Sequence, residues 1–182
     1  MTAARITLVL GGARSGKSRF AEQLAAAGTR VCFVATATAG DENMSHRIAR
    51  HRADRPETWT TIEAPTALAE TLRPVVSGFD TIVIDCLTMW ASNILLAASD
   101  AGAAEAAAEA ETAALVALMR DGGAHWILVS NEVGLGVVPA TTLGRDYRDL
   151  LGRVNQRVAA AADRVAFLIA GIPLELRPWS PE

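Results

Sequence analysis

The sequence predicts a single α/β domain in which helices flank a mostly parallel sheet. Two observations predict this fold class: short apolar runs recur along the chain, and segments of helical composition alternate with them. The runs are apolar throughout instead of alternating with polar residues, which is typical of parallel strands buried on both faces. The five predicted strands lie at 5–10, 30–36, 80–86, 125–131 and 164–171.

The intervening segments predict four helices, at 17–28, 41–54, 103–123 and 151–165. Gly28 is expected to close the first as a C-cap, and a glycine pair is expected to close the third. The alanine-rich tract 101–118 carries Glu at helical spacing, so it is interpreted as a surface helix and not as a linker. No repeat is visible, and residues 1–182 are expected to form one domain.

Composition narrows the class of protein. The chain has 182 residues, of which 51% are hydrophobic and 20% charged, so it can bury a core. Its formal charge of −3 argues against a nucleic-acid or membrane-surface binder, because both need a basic face. Cys32 and Cys86 lie in apolar runs and are expected to be buried thiols, not a disulfide. No leader and no uninterrupted membrane-length stretch is visible, so we expect a cytoplasmic protein without membrane insertion.

The segment "GGARSGKS" fits the pattern G-x-x-x-x-G-K-S and stands between a predicted strand and a predicted helix. In that context it predicts a P-loop, and with it a P-loop NTPase-like (RecA-like) sheet. Glycines let successive N–H groups point at an anion, and the helix N-terminus adds a partial positive charge. The alternative is a fortuitous glycine-rich turn. The residues predicted to bind a nucleoside triphosphate here are Gly11, Gly12, Ala13, Arg14, Ser15, Gly16, Lys17 and Ser18.

Two residues of this loop and one residue outside it have predicted chemical roles. Lys17 is expected to reach the β- and γ-phosphates as a catalytic residue, and Ser18 to ligate Mg²⁺. Asp85 follows the run "TIVI", in the position of a Walker B acid, and is the second predicted Mg²⁺ ligand. The alternative for Asp85 is an ordinary aspartate in the turn after a strand.

The predicted helix 41–54 holds a candidate nucleophile. At about 100° per residue, Met44, Ile48 and His51 share one stripe, whereas His46 lies near the opposite face. His51 is therefore expected to point toward the protein. Surrounding arginines could bind phosphate and favour the neutral, nucleophilic imidazole. The alternative is a packed histidine in a solvated basic helix.

Several motifs together closely resemble the bifunctional adenosylcobinamide kinase / adenosylcobinamide-phosphate guanylyltransferase family of cobalamin biosynthesis. The resemblance runs from Ile6 to about Gly171. The segments that carry it are "GGARSGKS", "VAT", "RIARHRADRP", W-x-T-x-E, "SNEVGLGVVP" and "GRVNQRVAAAAD". The family pattern often has Glu where this chain has Asp85 and a second histidine where it has Arg50.

The resemblance implies two reactions. The first phosphorylates the aminopropanol hydroxyl of adenosylcobinamide, with ATP or GTP. The second transfers GMP from GTP to adenosylcobinamide phosphate through a covalent guanylyl-histidine, and His51 matches the family pattern RI-x-x-H-x-x-x-RP. The resemblance also implies GTP contacts at Thr36, Ala37, Thr38, Arg52, Ala53, Asp54, Arg55, Glu63 and Asp85.

Three acidic or amide side chains have further predicted roles. A carboxylate can accept hydrogen bonds from N1–H and the 2-amino group of guanine together, so Glu63 is a candidate guanine reader, or else a surface glutamate after a strand. Asn131 and Glu132 follow the strand "WILVS" and are expected to face Mg²⁺ or the corrinoid acceptor. The alternative for these two is a capped turn.

The expected ligands are GTP with Mg²⁺, possible use of ATP in the kinase step, and a corrinoid substrate. The resemblance further suggests a homo-oligomer, specifically a trimer. Two other functions stay open at this point. One is a plain P-loop kinase for small molecules that forms no covalent histidine intermediate, and the other is a GTP-sensing regulatory module.

Overall fold

Seven strands form one sheet, and all but the last of them run parallel. The computed structural model describes residues 6–38 and 55–176. In chain order the strands are β1 (Ile6–Gly11), β2 (Val31–Ala35), β3 (Thr60–Glu63), β4 (Thr81–Asp85), β5 (His125–Val129), β6 (Arg164–Ile169) and β7 (Ile172–Leu176). Across the sheet their order is β3-β2-β4-β5-β1-β6-β7.

Helices cover both faces of this sheet. Those in the described residues are α1 (Lys17–Ala25), α2 (Leu68–Leu72), α3 (Leu87–Ala97), α4 (Ala101–Asp121) and α5 (Thr142–Ala161). Helix α1 packs on one face, and helices α2 to α5 pack on the other. The predicted fold class, a mostly parallel sheet flanked by helices, is confirmed.

The continuous apolar runs are explained by this layering. In β4, Ile82 and Ile84 belong to the core under α2–α5, whereas Val83 between them belongs to the core under α1. All three side chains are fully buried. Because successive residues of a strand point to opposite faces, a strand covered on both sides needs apolar residues at every position.

Two predicted helices differ in extent from those in the structure. The first ends at Ala25, and Gly28 is not its left-handed cap. A Cβ at Gly28 would lie 2.4 Å from Thr81 Oγ1, so close approach to the start of β4 is what requires glycine there. Helix α5 begins nine residues earlier than predicted, where the Thr141 hydroxyl accepts a hydrogen bond from Gly144 N–H.

Two strands and two α-helices were not among the predicted elements. Strand β3 is a short edge strand with the sequence TTIE and exposed ends, so it lacks an apolar signal. Strand β7 returns antiparallel to β6, and helices α2 and α3 lie between the predicted strands. The predicted helix 41–54 lies outside the described residues.

Both cysteines are free, as predicted, with Cys32 buried and Cys86 half-buried. Burial raises the pKa of each thiol to about 11. Within the described ranges, no helix combines the length and apolarity needed to cross a membrane.

The central strands should dominate stability. Leu128 on β5 is fully buried, so Leu128→Ala leaves a cavity and is expected to lower the free energy of unfolding by about 2–5 kcal/mol. Leu96 on α3 is 68% exposed, and Leu96→Ala should change the same quantity by less than about 0.5 kcal/mol. Urea denaturation followed by circular dichroism measures both variants. Equal losses in the two would contradict this assignment of the core.

Candidate functional site

The carboxyl ends of the parallel strands meet at one edge of the sheet. Strands β1, β2, β4 and β5 all end there, which brings the loop after β1, Thr36, Asp85 and Asn131 to the same edge. Open parallel sheets bind ligands at this edge. The residues predicted from four separate segments are thus gathered into one region.

The loop after β1, which we call the glycine-rich loop (11–18), has a backbone that requires glycine. Gly11 has φ 151° and Gly16 has φ 95°. A Cβ at Gly11 would lie 2.6 Å from the Leu168 carbonyl oxygen and 2.7 Å from Ser15 Oγ. The loop therefore passes so close to β6 that a side chain at position 11 would push the two apart.

Backbone hydrogen bonds hold the glycine-rich loop from both sides. Glu132 N–H donates to the Gly11 carbonyl at 3.1 Å, and Gly171 N–H donates to the Ser15 carbonyl at 2.9 Å. The loop is thus fixed between the segment after β5 and the turn between β6 and β7. It leads directly into α1, whose first residue is Lys17. A fixed loop at a helix N-terminus suits an anion.

Lys17 is the single lysine of the chain. Its side chain is only 7% exposed, and its Nζ donates to the Gly12 carbonyl at 2.5 Å. Burial lowers the pKa of Lys17, and the negative charge of Asp85 acts in the opposite direction. The ammonium is therefore held within the loop in an environment that lacks enough negative charge to balance it.

Asp85 ends β4 and lies beside Ala35 of β2 and Val129 of β5 in the register of the sheet. The next residue, Cys86, is fixed by Thr36, whose hydroxyl donates to the Cys86 carbonyl at 2.7 Å and accepts from Cys86 N–H at 2.8 Å. Thr36 is fully buried. Its hydroxyl therefore supports the end of β4. Within the segment 36–38, it is Thr38 that is exposed.

Two of the predicted GTP contacts lie toward the β3 edge. Glu63 is exposed at the end of β3, level with Ala35 in the register. The Arg55 guanidinium carbon lies 3.5 Å from the centroid of the Phe33 ring on β2, in a cation–π contact. Both residues are thus close to the end of β2, several strands away from the glycine-rich loop.

Asn131 and Glu132 follow β5 and are held mainly through their backbones. Asn131 N–H donates to Thr88 Oγ1 at 2.8 Å, and the Asn131 carbonyl accepts from Asn155 Nδ2 at 3.0 Å. The Glu132 carboxylate accepts a hydrogen bond from Gly134 N–H at 2.6 Å. This contact forms a capped turn, which is the alternative that the sequence left open for Glu132. Glu132 also lines a cavity beside α5.

Several residues that support this edge were not predicted. Asn93 Nδ2 donates to the carbonyls of Thr36 and Pro65, both at 2.9 Å. Tyr147 donates its hydroxyl hydrogen to the Thr88 carbonyl at 3.2 Å, and burial raises the pKa of this phenol to about 12. The motif GR-x-NQ, which contains Asn155, was quoted for the resemblance but had no assigned role.

The candidate nucleophile and its neighbours cannot be placed. His51, Arg52, Ala53 and Asp54 lie outside the described residues. The described residues before and after that gap are Thr38 and Arg55. The roles predicted for these four residues therefore stay predictions.

The oxygen donors at this edge fit Mg²⁺. Ser18 lies in the first turn of α1 and Asp85 at the end of β4, so a hydroxyl and a carboxylate are available. Mg²⁺ in nucleotide sites is commonly held by one or two protein oxygens, with phosphates and water completing the shell. The described residues hold no cluster of three or more His, Cys, Asp or Glu side chains that could bind a metal ion.

Comparison with known proteins gives the family. The sequence model of cobinamide kinase / cobinamide phosphate guanyltransferase matches residues 7–176. The chain is similar to the bifunctional adenosylcobalamin biosynthesis protein CobP of Pseudomonas aeruginosa, with 47% identity over 93% of this chain and 96% of the relative. It is also similar to the bifunctional adenosylcobalamin biosynthesis protein CobU of Escherichia coli, with 39% identity over 93% of this chain and 98% of the relative. The protein of that name from Salmonella typhimurium gives the same identity and coverage. The chain therefore belongs to the cobinamide kinase / cobinamide phosphate guanyltransferase family.

Proposed function

We propose that this chain phosphorylates the aminopropanol hydroxyl of adenosylcobinamide and then transfers GMP from GTP to the resulting phosphate, through a guanylyl-histidine at His51. The family supports the two reactions. The observation that carries the proposal in the structure is the glycine-rich loop, which is fixed at the carboxyl edge of the sheet around a buried lysine. That arrangement provides a site for the phosphates of a nucleotide.

The positions along the edge suggest how GTP lies. Strand β3 stands four places from β1 in the sheet order. At about 4.8 Å per strand, the ends of β3 and β1 are about 19 Å apart across the sheet. An extended nucleoside triphosphate can span a gap of this order, with its phosphates at the loop and its guanine near Glu63. The Glu63 carboxylate is exposed there and can accept from N1–H and the 2-amino group.

In the kinase reaction, the hydroxyl oxygen of adenosylcobinamide attacks the γ-phosphorus, and the bond to the β–γ bridging oxygen breaks. Lys17 and the N–H groups of the glycine-rich loop stabilise the negative charge on the phosphate oxygens. The cation at Lys17 is desolvated before the nucleotide arrives. The phosphates therefore supply the negative charge that its environment lacks.

In the transfer reaction, a neutral nitrogen of His51 attacks the α-phosphorus of GTP, and pyrophosphate leaves. A phosphate oxygen of adenosylcobinamide phosphate then attacks the phosphorus of the adduct, the P–N bond breaks, and His51 is released. Dividing one displacement into two steps is ordinary covalent catalysis. The product is adenosylcobinamide-GDP.

Ser18 and Asp85 would hold Mg²⁺, which supplies charge neutralisation on the phosphates when it is bound. Asp85 also acts on Lys17, because its charge favours the ammonium form. The homo-oligomer, specifically a trimer, the cytoplasmic location and the use of ATP in the kinase step stay predictions. Neither a plain kinase nor a GTP sensor forms a covalent adduct with GMP. Detection of that adduct therefore distinguishes the proposed function from both alternatives.

The first test is the adduct at His51. After incubation with GTP and Mg²⁺ without acceptor, the wild-type protein should gain the mass of GMP in intact-protein mass spectrometry, and the adduct should be acid-labile. His51→Ala should gain no mass, whereas His46→Ala should behave as the wild type. Absence of an adduct on wild-type protein that binds GTP would overturn the covalent mechanism.

The second test is the charge of Lys17. Lys17→Met should abolish stabilisation by GTP·Mg²⁺, which for the wild type reaches about 2.7 kcal/mol at one hundred times Kd. Without nucleotide the variant should unfold at the same temperature as the wild type or higher, because it no longer buries a cation. Thermal unfolding with and without GTP·Mg²⁺ measures both effects. Arg19→Met, which removes an exposed cation from the same helix, is the matched control.

The third test is the Mg²⁺ requirement at Asp85. Asp85→Asn should raise the Mg²⁺ concentration for half-maximal kinase activity by at least about tenfold, since it removes an anionic ligand. Asp85→Glu should keep a requirement closer to that of the wild type. Asp121→Asn, at the exposed end of α4, serves as the control. An unchanged Mg²⁺ profile in Asp85→Asn would contradict the assignment.

A further inference from the structure

A cavity of about 500 Å³ lies between α5 and the segment that follows β5. Part of its wall is apolar, and part is made of polar side chains, namely Glu132, Arg148, Asp149, Arg153, Asn155 and Gln156. Acidic and basic groups are balanced among them, with Arg148 paired to Asp149 and Arg153 paired to Glu105. A mixed wall without excess charge suits hydroxyl and amide groups better than the polyanionic chain of a nucleotide.

The cavity adjoins the glycine-rich loop. Glu132, which lines it, donates its N–H to the Gly11 carbonyl at 3.1 Å, and Lys17 binds the carbonyl of the next residue, Gly12. Adjacent residues of a chain lie about 3.8 Å apart. A small group that enters this cavity can therefore approach the phosphates held by the loop.

One acceptor in the cavity wall is unsatisfied. Asn155 is 5% exposed, and its Nδ2 is committed to the Asn131 carbonyl. Its Oδ1 is buried and has no hydrogen-bond partner among the described residues. Buried polar atoms are normally paired, so this oxygen can accept a hydrogen bond from a hydroxyl or an amide N–H.

The floor of the cavity continues as an open apolar surface. Leu10, in the floor, is level with Phe167 of β6, and Phe167 is level with Leu174 of β7. Cross-strand partners present their side chains on the same face, so these three form one row. Ile169 and Ile172 form the next pair on that face of the hairpin, and they are 57% and 70% exposed. We call Phe167, Ile169, Ile172 and Leu174 the apolar strip.

We infer that the cavity and the apolar strip together form the binding site for the corrinoid acceptor. The aminopropanol arm enters the polar cavity, and the macrocycle lies against the apolar strip. The cavity is of a size that encloses a drug-sized ligand, so a corrinoid must leave its ring outside it. This assignment rests on the proposed function, because it takes adenosylcobinamide as the acceptor.

The test compares substrate binding in two variants and a control. Gln156→Ala removes a polar group from the cavity wall, and Leu174→Asp places a charge on the apolar strip. Each is expected to raise KM for adenosylcobinamide by at least about tenfold in the kinase reaction. The GMP adduct at His51 and the KM for GTP should stay at wild-type values. Leu96→Asp, at an exposed leucine of α3, should leave all three quantities unchanged.

Three outcomes would overturn the inference. Wild-type KM for adenosylcobinamide in both variants would place the acceptor elsewhere. A lower molar mass of Leu174→Asp in sedimentation velocity would assign the apolar strip to contact between copies of the chain. A wild-type protein that forms the GMP adduct but never phosphorylates or binds adenosylcobinamide would overturn the proposed acceptor itself, and this outcome is recognised before any variant is made.

Discussion

The close approach of the glycine-rich loop to strand β6 is the constraint on which the rest of the site depends. The loop passes the Leu168 carbonyl with no room for a Cβ at Gly11, and it is tied to Glu132 on one side and to Gly171 on the other. Those ties join three strands, β1, β5 and β6, at their carboxyl ends. The position of Lys17 at the start of α1 follows from them. A loop fixed in this way spends little conformational entropy when it binds phosphate.

The buried ammonium of Lys17 makes the nucleotide part of the stability of the protein. Its desolvation is only partly offset by Asp85 and by the Gly12 carbonyl. Phosphate oxygens would complete its environment, so binding energy and folding energy are linked at this residue. Stability given up at a binding site in this way is a common cost of function. Strands β1, β4 and β5, which are buried on both faces, supply the compensating hydrophobic burial.

Much of the fold could be predicted because its signals are local. The run of apolar residues in β1, the motif "GGARSGKS" and the start of α1 are contiguous, so one pattern identifies a strand, a turn and a helix. The end of β4 is local in the same way, because Asp85 directly follows the apolar run "TIVI". In contrast, β3 has exposed Thr60 and Glu63 at its two ends, and its place as an edge strand depends on pairing with β2. Gly28 was interpreted as a cap because sequence does not reveal that Thr81 lies against it.

The cavity beside α5 could not be predicted for a different reason. Leu10, Glu132 and Asn155 come from three elements that are far apart in the chain, and only the order β5-β1-β6 and the packing of α5 bring them together. The motif GR-x-NQ was recognised as specific to the family, but the sequence assigns it no role. The structure shows that Asn155 Nδ2 binds the Asn131 carbonyl, whereas Asn155 Oδ1 has no hydrogen-bond partner among the described residues. The role of Thr36 is a similar case. The resemblance implies a GTP contact at this residue, and the structure adds that both hydrogen bonds of its hydroxyl go to Cys86.

The arrangement of the edge also explains how one small domain can serve two reactions. Both reactions attack a phosphorus of a nucleotide, but at different positions along its phosphate chain. The nucleotide site that we propose extends from the glycine-rich loop toward β3, whereas the cavity and the apolar strip extend from the same loop toward β7. A corrinoid bound on that second side can present its arm to the loop as a hydroxyl in one reaction and as a phosphate in the other. In the proposed mechanism the chain then needs one acceptor site. What changes between the two steps is the phosphorus that is attacked and the proposed participation of His51.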